Sequence, residues 1–71
     1  MRKYAVIFEK TKTGYSAYVP DLPGCISTGK TKAIAEKNIL EAIQFHLEGM
    51  KEDGIRIPQP ISEAENLVFA L

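Results

Sequence analysis

The chain has one cysteine, one histidine and no tryptophan. A lone cysteine closes no internal disulfide, and with a lone histidine it forms no Cys/His cluster at metal-ligand spacing. Neither sign of charge is in excess, since nine Lys and Arg balance nine Asp and Glu for a formal net charge of zero. Without a basic surplus there is little to neutralise phosphates, which argues against direct nucleic-acid binding. No apolar run approaches the ~18–20 residues of a membrane span, and the opening MRKYAVIFEK is not a secretory signal. Internal repeats and low-complexity tracts are also missing. What remains, 45% hydrophobic and 25% charged residues, is the balance of a globular chain rather than a disordered one. Its 71 residues make a single domain, 1–71. A chain this short buries only about 60% of the surface its unfolded form exposes, so close packing or self-association must supply what disulfides and metals do not. The expectation is a small cytoplasmic domain with no cofactor and no membrane association.

The pattern along the chain predicts β-β-β-α-β. Lys3 to Glu9 (KYAVIFE) is rich in β-formers and apolar on both faces, as expected of a central strand. A polar link ending at Gly14 leads into Tyr15 to Val19. Pro20-Asp21-Leu22-Pro23-Gly24 stops that strand with two residues that lack an N–H and one with a free φ. Cys25 to Gly29 is a short third strand. Thr31 is a good N-cap, and from Lys32 to about Asp53 there is no proline. At helical spacing Ala35, Ile39, Ala42, Ile43, His46 and Met50 share one face, opposite Lys37, Glu41, Gln44, Glu48 and Glu52. Gly54 ends the helix. Ile55 to Pro60 is extended, Ser62 to Glu65 is a polar bridge, and Asn66 to Leu71 (NLVFAL) reads as a last strand. A helical crossover places that strand parallel to the first, in a single mixed α+β sheet of order 3-2-1-4 with the helix on one face.

Two features exceed what one helix on one sheet can bury. Ile34 and Phe45 on one flank of the helix, and Leu40 and Leu47 on the other, widen its apolar arc. The last strand is apolar on both faces yet falls at an edge (Leu67, Phe69 and Leu71 against Val68 and Ala70). An uncovered apolar edge invites pairing with another chain. The expectation is a partner, most simply a second copy related by a two-fold axis, so a homo-oligomer.

The string from Tyr15 to Thr31 (YSAYVPDLPGCISTGKT), the segment Asn38 to Ile43 with Asn38 and Glu41-Ala42-Ile43, and the exit Gly54-Ile-Arg-Ile-Pro58-Gln-Pro60 together resemble the HicB-like antitoxin family. The resemblance covers Tyr4 to Pro60. It implies a partial ribonuclease H-like fold and a non-catalytic module that binds and occludes a small basic ribonuclease toxin. Where family members often carry an acidic pair after the helix-opening threonine, this chain has Lys32-Ala33-Ile34-Ala35-Glu36, so no acid at Ile34 closes a capping box with Thr31. Many members continue into a C-terminal DNA-binding module; none is expected within residues 1–71, and operator binding is not carried over. Candidate partner-contacting residues are Glu9, Asp21, Leu22, Phe45, Leu67, Phe69 and Leu71. A solitary homo-oligomeric structural or regulatory domain without a toxin stays open as the other reading.

Enzymatic alternatives find little support in the residues. A two-cation nuclease site needs converging carboxylates, and most acids here lie on the polar face of the helix. Cys25 and His46 are the only nucleophile and base to consider; the first starts a strand and the second lies mid-face on the helix, both settings of structural residues. Gly24 to Thr31 spells G-x-x-x-x-G-K-T, the pattern of a phosphate-binding loop. The chain is too short for a nucleotide-binding sheet, and Cys25 to Thr28 reads as strand rather than loop. No catalytic, cofactor or metal-binding residue is therefore expected.

Overall fold

The computed structural model describes all of residues 1–71. Three strands, β1 (Ile7–Lys10), β2 (Tyr15–Tyr18) and β3 (Ile26–Gly29), form an antiparallel sheet of order β1-β2-β3, and α1 (Lys32–Glu52) follows. The register pairs Ile7 with Tyr18 and Phe8 with Ala17, then Ala17 with Ser27 and Tyr18 with Ile26. Tyr4, Val6 and Phe8 therefore point to the helix side with Ala17 and Val19, while Ile7, Tyr18 and Ile26 form a row on the opposite face.

β1 begins at Ile7 rather than at Lys3, four residues later than the hydrophobic pattern suggests. Continuing the register sets Val6 against Val19, Ala5 against Pro20 and Tyr4 against Asp21. Pro20 has no N–H to give, and the chain has already turned. The N–H groups of Leu22 and Cys25 donate to the carbonyls of Val19 and Leu22, and Val19 N–H donates to Cys25 O. Gly24 takes φ +83°, open to glycine at no cost. Tyr4 and Val6 keep their core contacts without ladder bonds.

The ends of α1 are set by short-range chemistry. Thr31 Oγ1 accepts from the N–H of Ile34 at 3.1 Å, capping the helix without an acidic partner. At the other end Gly54 (φ +68°) lets its own N–H reach Lys51 O and the Ile55 N–H reach Met50 O at 2.9 Å, a Schellman closure. The helix lies over β2 and β3. Asn38 Nδ2 donates to Thr28 O at 2.8 Å, tying the helix to β3, and Lys32 Nζ sits 5.2 Å from the centroid of the Phe8 ring, a cation–π contact toward β1.

The core is small. Only Ala17, Val19, Leu22, Cys25, Ala35 and Ile39 are buried, with Tyr4, Val6, Phe8, Ala42, Ile43 and Leu47 packed partly around them.

The last strand is the main correction. Residues from Ile55 to Leu71 form no strand, so β1 is an edge and not the centre of the sheet. The observed order is the 3-2-1 part of the expected sheet, with the place beside β1 unfilled. The reason is reach. Asp21 Oδ2 accepts from the N–H groups of Ile61 (3.0 Å) and Ser62 (2.9 Å), its Oδ1 accepts from the Ser62 hydroxyl (2.8 Å), and the Tyr4 hydroxyl donates to Pro58 O. These bonds fix residues 58–62 at the level where β1's segment begins. Ala64, Glu65 and Asn66 then run past Val6, Ile7 and Phe8 across an open cleft. In step with β1 from that level, Leu67 and Val68 come opposite Glu9 and Lys10, and Phe69 to Leu71 fall beyond the end of the strand. The tail elongates the molecule to 48 × 25 × 18 Å, with a radius of gyration of 13.7 Å against about 11 Å for a compact domain of this length.

Candidate protein-docking surfaces

Three apolar surfaces are left without a partner inside the chain. The first is the tail, with Leu67, Val68, Phe69 and Leu71 all exposed. The second is a groove between β1 and the near flank of α1, lined by Val6, Phe8, Ala33, Ile39, Leu40 and Ile43 and rimmed by Glu36 and Lys37. Leu40, 56% exposed, overhangs it. The third is the sheet face turned away from the helix, where Ile7, Tyr18 and Ile26 stand side by side across the strands and Ile26 is 63% exposed. Monomeric proteins seldom leave contiguous apolar surface of this kind without a use for it.

The residues expected to contact a partner divide accordingly. Glu9, Phe45, Leu67, Phe69 and Leu71 are exposed. Phe45 stands on the far flank of α1, apart from the groove. Leu22 has no surface to offer: it is the largest fully buried side chain, because the Val19–Cys25 turn folds it inward beneath the helix. Asp21 is committed to the tail. The bond from the Ser62 backbone, followed by that from its hydroxyl, holds the carboxyl below its ordinary range; desolvation opposes this, and the Ile61 N–H adds a smaller lowering. Tyr18 and Ile26 were not singled out from the sequence. The signal was there: once Ala17 and Val19 face the helix, strand alternation turns Tyr18 to the other side, and the register brings Ile26 to it.

Cys25 and the Gly24–Thr31 stretch are structural parts of the fold. Cys25 is buried in the core cluster and burial pushes its thiol up from the ordinary range, the opposite of an activated thiolate. His46 is half-buried on α1. Gly29 belongs to a strand paired with β2, so the stretch resembling a phosphate loop spends its backbone on the sheet. A Cβ on Gly29 would run into the backbone of Ala35, so the strand and the first turn of α1 touch only because this residue is glycine. No group of three or more His, Cys, Asp or Glu is placed to hold a metal ion, and no helix is long and apolar enough to cross a membrane.

Fold and surfaces together define a small β-β-β-α domain with an open sheet edge, a bare second sheet face and an unpaired apolar tail. The chain belongs to the HicB-like antitoxin family of bacterial toxin–antitoxin systems, whose family model matches residues 4–69. It is 46% identical over 65 residues to a 14.9 kDa protein from the rep-hol intergenic region of Haemophilus phage HP1, covering 89% of this chain and 49% of that protein. A UPF0150 protein of Thermoplasma acidophilum is 45% identical over 62 residues, covering 86% of this chain and 90% of that one. Antitoxin HicB 2 of Photorhabdus laumondii is 31% identical over 70 residues, covering 93% and 48%. The chain thus spans about half the length of the phage protein and of HicB 2. Among solved structures, a chain of the HicA3 and HicB3 toxin–antitoxin complex superposes with a TM-score of 0.72 at 35% identity, over 84% of this chain and 70% of that one.

Proposed function

We propose that this domain is the toxin-binding part of an antitoxin: it covers a small basic ribonuclease, closes off its RNA-binding surface by steric occlusion, and performs no chemistry of its own. The observation that carries the reading is the likeness, in fold and at 35% identity, to a chain from a toxin–antitoxin complex. Family membership over residues 4–69 supports it. So does the arrangement of the molecule, in which apolar surface is presented to the outside while the one cysteine is packed in the core. In this reading the three strands are an incomplete ribonuclease H-like sheet awaiting a fourth member, and the domain works in the cytoplasm without binding nucleic acid directly.

The contact surface is assigned to the open sheet face and the exposed acids near it. Glu9 lies at the outer end of β1 on the same face as Ile7. An exposed carboxylate beside an apolar row suits a basic partner, with the charge chiefly raising the rate of encounter. The test is co-expression with a small basic ribonuclease of the toxin class, taken first from the genes flanking this one. A stable complex and rescue of growth are expected, both weakened by Tyr18→Asp with Ile26→Asp. Absence of a complex together with absence of rescue overturns the reading.

A further inference from the structure

We infer that the strand missing beside β1 is supplied by a second copy of this chain: Asn66–Leu71 of one molecule adds to the free edge of β1 in the other, and the exchange is reciprocal. The inference stands on the geometry of the tail and does not depend on the antitoxin reading.

The donor has the pattern of a strand and nothing to pair with. Leu67, Phe69 and Leu71 alternate with Val68 and Ala70, so both faces of the extended segment are apolar. A strand inserted beside β1 meets apolar surface on both sides. On one side is the groove of Val6, Phe8, Ala33, Ile39, Leu40 and Ile43; on the other is the row begun by Ile7. The outer N–H and C=O groups of β1 have no ladder partner and supply main-chain bonds to an added strand.

The chain's own tail is a poor occupant for that place. Asp21 pins Ser62 at the level of Tyr4. Running parallel to β1 from there, residue for residue, the tail draws level with Lys10 at Val68. Phe69, Ala70 and Leu71 then have no strand to lie against, since β1 ends at Lys10. Seating the apolar segment on Tyr4–Glu9 of the same molecule would mean pulling it back by several residues, about 3.3 Å each, and breaking the bonds to Asp21. A second molecule offers the same edge without that constraint. The clefts between its β1 and its own residues 60–66 are not closed by ladder bonds.

The area involved is of the right size. The chain exposes 5991 Å², about 1,600 Å² more than the ~4,400 Å² of a compact monomer of this length. Two chains together carry about 3,200 Å² of such excess, enough to supply the roughly 1,200–2,000 Å² that a stable interface removes from both partners in total.

The experiment uses the full chain. Sedimentation at micromolar concentration is expected to give a dimer, and Leu67→Asp with Phe69→Asp a monomer with unchanged helix content by circular dichroism, because neither side chain belongs to the core. Each lost apolar contact weakens dimerisation by about tenfold or more. To identify the occupant, Leu40→Cys and Phe69→Cys are made in separate chains and mixed under mild oxidation. A disulfide joining the two variants is the expected product. A monomeric native chain, a Leu40→Cys/Phe69→Cys double variant that closes only within one molecule, or cross-linking of Phe69→Cys only to itself would each overturn the proposal. None of these readouts involves a toxin, so their failure is distinct from failure of the antitoxin reading.

Discussion

Asp21 and Ser62 lie 41 residues apart in the chain and are joined twice, by the Ser62 N–H at 2.9 Å on one carboxylate oxygen and the Ser62 hydroxyl at 2.8 Å on the other. A third bond comes from the Ile61 N–H. The proline-bounded turn after β2 thereby holds the root of the tail and fixes the level at which the tail starts along β1. These bonds connect a local turn to the fate of the last ten residues.

Because the bonds favour the ionised form, the anchor depends on pH. Asp21 titrates lower in the folded chain than in the unfolded chain, where an aspartate has a pKa of about 3.9. Its stabilising contribution is therefore complete above that value and is lost as pH falls through the lower folded value. Amide exchange at Ile61 and Ser62 is expected to be protected at neutral pH, to stay protected at the ordinary aspartate pKa, and to lose that protection only at lower pH, as the folded carboxyl titrates. In Asp21→Asn the protection is already reduced at neutral pH and no longer follows acid titration, and proteolysis beyond Ser62 is several-fold faster. Equal protection in both proteins across the whole range would show that the carboxylate is not the anchor.

The helix was legible in the sequence because its signals are local. Thr31 begins it, Gly54 ends it, and Ala35 and Ile39 fall at core spacing between them. The meander was legible for the same reason, with a polar link after β1 and a proline turn after β2. The start of β1 was not, since Tyr4 and Val6 look like strand residues and what removes their pairing is Pro20 on the neighbouring strand. Leu22 was misplaced because prolines on both sides suggest a surface turn, whereas the turn folds back and turns this side chain inward. NLVFAL carries the alternation of a strand, and that much the pattern conveys. Whether it can reach a sheet is decided by a length, the three residues between Ser62 and Asn66, measured from an anchor that only the fold creates.

Gly29 sets how closely β3 approaches α1. A methyl group there meets the Ala35 N and the Cα of the same residue, both backbone atoms unable to rotate away. Gly29→Ala must push the strand from the helix, straining the Thr31 cap and the Asn38 bond to Thr28 O. A loss of about 1–3 kcal/mol is expected, as for overpacking generally, read from the urea midpoint. Gly49→Ala is the control: a Cβ there meets nothing, and helix propensity favours alanine by about 0.8–1 kcal/mol, so the midpoint is expected to rise.

Leu22 and Phe45 were both candidates for contact with a partner, and the structure separates them. Leu22→Ala leaves a cavity in a core of six buried residues and is expected to cost about 2–5 kcal/mol. A domain of this length has on the order of 4–10 kcal/mol in all, so the variant is expected to be largely unfolded near 37 °C. Phe45→Ala removes a ring that is 79% exposed and is expected to change stability by no more than about 0.5 kcal/mol. Thermal unfolding of the two variants beside the parent checks both numbers, and similar losses would mean that Phe45 is covered in solution.

Cys25 provides a chemical test of the packed core. A thiol acting as nucleophile is exposed and titrates low, reacting with disulfide reagents quickly at neutral pH. Cys25 is 4% exposed, it lies in one cluster with Leu22 and Ile39, and its thiol is pushed up by desolvation. Labelling in the native protein is therefore expected to be at least about tenfold slower than for a free thiol, with a rate set by opening of the core. Added urea should raise that rate in step with the fraction unfolded. The Leu22→Ala variant should label fast without denaturant, since the side chain that shields the sulfur is reduced to a methyl. A native Cys25 that reacts at the free-thiol rate would place it at the surface and bring back the nucleophile reading that its burial argues against.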